Sequence, residues 1–348
     1  MRKCSKFTDL AGPEVLRSKL ATLVREARTQ TVVLSGPAGS GKKTWAGALA
    51  AAWLCSAPTQ AGACGVCPAC HYYAAETHPD YIELLPEAAG KSVPIDQIRK
   101  RVHAEVDLRP QIGQRRVWVL DGDGLLESGQ NALLKVLEEP PPHARFILVV
   151  SDIGSLLPTL VSRAVNVSLP RLRADELEQV LEKAGVADLE ARKLAITFAR
   201  GLPGVALELA GGDTYPELRM QLLDWLRAFP THGLAEALTE DYTFFENHRA
   251  ELATVFMFLQ SLVRDLAVLQ SSRVVNLLMH PDLSADLQAM NKRNPLLPAQ
   301  ASRVIHILNE AEYRLQGNAN FEMTICRMLL LIREEYINAR SNRRSLSR

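Results

Sequence analysis

Cysteines at 55, 64, 67 and 70 and a glycine-rich run, GPAGSGKKT, at 36–44 are the residues best suited to chemistry. The cysteines follow C-x8-C-x2-C-x2-C, and four thiolates at such spacing can close a tetrahedral Zn²⁺ site with bonds of about 2.3 Å. Four protein ligands leave no open position for water, so the ion would be structural, tying a helix end to the insertion after it. Two disulfides are the competing arrangement, disfavoured in a reducing compartment. His71, beside Cys70, is either a substitute ligand or a surface histidine, and Cys4 and Cys326 stand alone.

Gly36, Gly39, Gly41 and Lys42 match a P-loop, in which backbone N–H groups and a helix N-terminus surround phosphate and the lysine reaches the β/γ oxygens. The next position needs a Ser or Thr hydroxyl for Mg²⁺. Here it is Lys43, whose ammonium would repel the metal, and Thr44 is displaced about 100° around the helix. The second half of such a site is an apolar strand ending in Asp, and VWVLDGDG supplies Asp121. Gly122 follows it where a water-polarising carboxylate would stand, and Asp123 points to the opposite face if the strand continues. Two alternatives remain: a degenerate nucleotide site that holds ATP or ADP without turnover, and a glycine-rich turn with Asp121 as an ordinary strand-terminal residue. Ser162 and Arg163 sit just before another strand; alone, the arginine reads as solvated or ion-paired.

These residues need a parallel sheet to position them. TVVLS at Thr31–Ser35 leads through the glycine loop into a long Ala-rich helix, a strand–loop–helix unit. Apolar runs at 81–85, 117–120, 146–150 and 165–169 alternate with helical patterns such as 94–106 and 128–138, which argues for a mostly parallel sheet covered on both faces. After Pro170 strand-like runs cease. Helical spacing at 175–184, 189–200 and 205–210 gives a small helical domain to the Gly211–Gly212–Asp213 break, and stripes at 251–269 and 301–315 mark a third, all-helical one. The expected boundaries are 1–169, with the cysteine module at 55–70, then 170–213, 214–340 and a basic tail at 341–348.

The 348 residues suit two or three domains, and 47% hydrophobic with 23% charged residues excludes a disordered or fibrous chain. A net charge of +1 leaves only local contacts with nucleic acid, which counts against a free-standing zinc DNA-binding module. The basic N-terminus lacks an apolar segment of signal-peptide type, and no run approaches the roughly 20 apolar residues of a membrane span. A cytoplasmic location without membrane contact is expected.

Taken in order, FTDLAG, GPAGSGKK, the four cysteines, THPDY at 77–81, NALLKVLEEPP at 131–141, LLPTLVSR at 156–163 and GLPGVAL at 201–207 resemble the clamp-loader branch of the AAA+ family of bacterial DNA polymerase III. The match runs nearly the length of the chain, most weakly in the C-terminal third. The resemblance implies a RecA-like AAA+ module with a zinc insertion, a helical lid and a helical collar that oligomerises. It makes Ser162 and Arg163 the Ser-Arg of a motif whose arginine finger enters a neighbouring subunit's ATP site, with Ala164 in place of that motif's Cys. Ser151 falls at the sensor-1 position, and Val205 stands where a sensor-2 arginine is expected. Implied partners are motor subunits of the gamma/tau type, the delta subunit, the sliding clamp indirectly, and primed DNA in the assembly. Decay at 43, 122 and 205 with Arg163 kept favours a largely non-catalytic member of the DNA-directed DNA polymerase holoenzyme. The rival is the active motor itself, with Thr44 and Asp123 taking over the lost roles.

Overall fold

The computed structural model describes residues 6–26, 28–86, 92–211, 214–272, 277–317 and 319–346, with side chains at 214, 316 and 339–346 left aside. Cys4, Gly212, Asp213 and the last two tail residues lie outside the described residues. The chain divides into two compact units, Met1–Gly211 and Gly212–Arg348.

The first unit is built on five parallel strands, β1 (Thr31–Ser35), β2 (Tyr81–Leu84), β3 (Arg116–Asp121), β4 (Ala144–Val150) and β5 (Val165–Ser168). Their order is β2-β3-β4-β1-β5. The central β1 and β4 are buried at every residue, which is why both read as unbroken apolar runs rather than alternating ones. Around the sheet lie α1 (Glu14–Arg25), α2 (Lys42–Leu54), α3 (Pro68–Ala74), α4 (Ile95–Ile98), α5 (Glu127–Glu138) and α6 (Pro158–Val161). One face is filled by α1 and α2, where alanines at 46, 48, 50, 51 and 52 let helix and strands approach closely. The other face packs α5 and α6 around Trp118 and Phe146, stacked at 5.1 Å between ring centroids. After β5 come α7 (Ala174–Lys183), α8 (Leu189–Ala199) and α9 (Pro203–Ala210).

Among its described residues the second unit has helices and no strand: α10 (Thr214–Ala228), α11 (Leu234–Glu236), α12 (Tyr242–Asn247), α13 (Leu252–Ser271), α14 (Ser284–Arg293), α15 (Pro298–Gln316) and α16 (Phe321–Leu346). Two expectations change here. The segment Arg249–Ser271 is long and apolar enough, by length and composition, to cross a membrane, contrary to the reading that no run approaches a span. In this unit α13 is a core helix packed on α10, α14 and α15, which accounts for its apolarity. The arginine-rich segment read as a tail instead continues α16 to Leu346.

Candidate functional site

The glycine loop leaves β1 at the carboxyl end of the sheet, where a doubly covered sheet offers its ligand crevice. Gly39 and Gly41 have φ of +77° and +86°, a left-handed backbone that side chains resist. Lys42, the first residue of α2, is 9% exposed and folds its ammonium back onto the carbonyls of Gly36 and Pro37 at 2.5 and 3.0 Å. Burial pulls its pKa down, while the carboxylates of Asp123 and Asp121 push the other way.

Lys43 Nζ lies 3.8 Å from an oxygen of Asp121, the carboxylate that ends β3. The ammonium thus stands beside the group that would bind Mg²⁺, replacing a metal with an internal cation. Gly122 is closed to any side chain: a Cβ there would come within 2.3 Å of Val150 Cγ1 and 3.2 Å of the Val149 carbonyl. β3 ends at Asp121, so the continuing strand that would turn Asp123 to the opposite face is not formed. The Asp123 carboxylate accepts the Ser151 N–H at 2.8 Å and the Ser151 hydroxyl at 2.7 Å, which ties up both polar groups of Ser151 that could donate.

The N-terminus of α9 closes over the loop. Gly204 N–H donates to the Gly39 carbonyl at 2.7 Å, and a Cβ on Gly39 would meet Val205 Cγ2 at 3.0 Å. A methyl group of Val205 therefore rests on the loop where the resemblance expects a cation. Thr44 lines an adjoining, mostly apolar cavity of about 480 Å³ walled by Leu10, Trp45, Tyr73, Tyr81, Val180 and Leu207.

Arg163 lies at the other end of the sheet. Val165 pairs in parallel with Val32 and Ser168 with Ser35, so Arg163 precedes the start of β5 while the glycine loop follows the end of β1. Three strand steps alone separate the two levels by about 10 Å. Its guanidinium donates to the Thr159 carbonyl at 2.7 Å and to Glu138 at 2.8 Å, and its side chain stays 35% exposed. Ser162 Oγ donates to the same Thr159 carbonyl at 3.0 Å.

Cys55 ends α2, Cys67 caps α3 and Cys70 sits in its first turn, with Cys64 in the turn between. Their four sulfurs lie within 4.8 Å of one another, with Cys55–Cys67 and Cys64–Cys70 both at 3.9 Å. A tetrahedron of 2.3 Å Zn–S bonds has edges of about 3.8 Å, so the donor set fits a metal as it stands. All four are free thiols, which removes the disulfide arrangement. Amide N–H groups of Cys64 and Gly65 donate to the Cys55 and Cys70 sulfurs, while burial pushes both of these thiols up. Burial raises the Cys67 thiol, but hydrogen bonds from Ser56 and Cys70 outweigh it and bring the pKa to about 6. His71 is exposed and outside the cluster.

Two positioning residues lie outside the site read from the sequence. Asp80 of THPDY is fully buried and accepts the N–H groups of Gln111 and Ile112, anchoring the loop before β3. Gln130 in α5 donates to the carbonyls of Leu125 and Ser155 and accepts Leu157 N–H, fixing the turn that enters α6.

The sequence matches the profile of a family described as DNA polymerase III, delta subunit, over residues 13–173. It is 38% identical over 187 residues to DNA polymerase III subunit delta' of Pseudomonas aeruginosa, covering 49% of this chain and 57% of that one. The Escherichia coli delta' subunit is 33% identical over 178 residues, 51% of this chain and 53% of the relative. A DNA polymerase III subunit gamma/tau from Mycobacterium tuberculosis is 27% identical over 307 residues, 77% of this chain and 50% of the relative. The chain spans about half the length of these curated relatives. The region matched by the family profile carries the glycine loop, the four cysteines and Arg163, and over it the chain is similar to the delta' subunits of DNA polymerase III.

Proposed function

We propose that the chain is a largely non-catalytic clamp-loader subunit that lends Arg163, steadied by Ser162, to the ATP site of a neighbouring gamma/tau-type subunit. In that role it assembles with the motor and delta subunits and helps place the sliding clamp on primed DNA in the bacterial cytoplasm. The observation that supports this reading most is that Arg163 precedes the start of β5 while its own glycine loop follows the end of β1, at the other end of the sheet. The loop formed by Gly36, Gly39, Gly41 and Lys42 has Asp121 paired to Lys43 and no room for a base at 122, which supports a site without turnover. Cys55, Cys64, Cys67 and Cys70 would hold Zn²⁺, which supplies cross-linking and no reaction. The working division is an AAA+ module to 169, a lid at 170–213, and a collar from 214 that governs assembly.

In the partner's site the guanidinium would stabilise charge on the transferring γ-phosphoryl group. Arg163→Ala should leave folding and assembly nearly intact, since exposed substitutions usually change stability by no more than about 0.5 kcal/mol. Phosphate release by a reconstituted complex, with the other motor sites knocked out, should then fall by up to about 10³–10⁵-fold at the neighbouring site. Unchanged turnover in a fully assembled Arg163→Ala complex would reduce the chain to a structural role.

A further inference from the structure

Arg163 is held by a partner that the family resemblance did not assign. Its NH2 donates to Glu138 Oε1 at 2.8 Å, and its NH1 to the Thr159 carbonyl at 2.7 Å and Ser162 Oγ at 3.4 Å. Glu138 is the last residue of α5, and α5 packs directly on α6, the helix whose end carries Ser162 and Arg163. The acceptors therefore sit on two packed helices, one supplying a carboxylate and the other a carbonyl. Buried Gln130 adds to their rigidity, since it accepts Leu157 N–H at the entry to α6 from its own place in α5.

A free surface arginine has many rotamers, a freedom that it loses when it docks on a phosphate. Two acceptors on fixed helices remove part of that freedom beforehand. A guanidinium has five N–H donors, so these bonds leave others to meet an incoming oxyanion. We infer that Glu138 is a positioning residue that holds Arg163 in its presenting rotamer for the partner's active site. The inference rests on the proposed role of Arg163 in trans.

The test is steady-state MgATP hydrolysis by the complex reconstituted with full-length Glu138→Ala, Glu138→Gln, Arg163→Ala or Glu138→Ala/Arg163→Ala, its assembly checked by sizing. Loss of preorganisation should lower kcat of Glu138→Ala about tenfold, within the range that small misplacements cost, while KM for ATP holds. Glu138→Gln keeps an acceptor oxygen and should recover most of the rate, and the double variant should be no slower than Arg163→Ala. A Glu138→Ala complex as fast as the parent, or faster, overturns the inference if Arg163→Ala is slow in the same assay; faster turnover would make Glu138 a restraint on the finger. If Arg163→Ala is itself unchanged, the underlying role in trans fails instead.

Discussion

One ammonium faces the carboxylate at the end of β3 beside the glycine loop. Lys43 beside Asp121 supplies the positive charge that a divalent ion would otherwise bring, and the pure chain is expected not to hydrolyse ATP. Replacing it, Lys43→Thr, removes the repulsion and adds a hydroxyl. Unit charges 4 Å apart interact by roughly 1 kcal/mol in water and by more at partly buried sites, so Mg²⁺-dependent ATP affinity should rise about tenfold. Turnover should stay absent, because Gly122 cannot accept a carboxylate without moving Val150. Nucleotide titration with and without Mg²⁺, together with phosphate release, checks both parts; a parent chain turning over at about 1–100 s⁻¹ would end the non-catalytic reading. The glycines, Lys42, Lys43 and Asp121 were all legible from spacing. The partner of Asp123 was not, because it depends on where β3 stops, which alternation along a strand does not show.

Among elements, strands were easy to read and their consequences were harder. TVVLS and FILVV are unbroken apolar runs because both faces of β1 and β4 are covered, and that composition is visible in one dimension. Strand order is not, and only the β1–β5 pairing shows that Arg163 and the glycine loop occupy opposite ends of the sheet. The cysteine module was legible to the residue, since C-x2-C steps constrain neighbours in sequence to be neighbours in space. Metal binding energy is also folding energy in such a module. One zinc per chain is expected by elemental analysis. Chelation or Cys67→Ser should raise hydrogen exchange across residues 55–71 while the second unit keeps its protection. Protein purified under reducing conditions without zinc would remove the ion from the account.

At the scale of the whole molecule, the second unit contains a buried polar network that spacing could not reveal. His280, fully buried, accepts Arg219 Nε–H on Nδ1 at 2.9 Å. Its Nε2, 2.8 Å from Ser261 Oγ, must then be the donor, because the Ser261 hydroxyl is already given to the Phe258 carbonyl. Asp265 accepts the His280 backbone N–H, and Asp282 pairs with Arg219. These partners are scattered from 219 to 282, so no periodicity announces them. Burial, with the Arg219 charge beside it, drives the His280 pKa down to about 3. The ring is neutral in the fold, while the unfolded chain takes up a proton near pH 6.5, so the unfolded state binds more protons between those values and stability falls as pH falls. Opening free energies of α13 amides, corrected for intrinsic exchange, should drop by about 2 kcal/mol between pH 7 and 5 from this group. Asp241 and Asp265, whose carboxyl pKa values burial raises, act in the opposite direction. Comparison with His280→Gln isolates the histidine: the variant should lose the acid-side decline, and an identical pH profile in parent and variant would show that His280 does not set it.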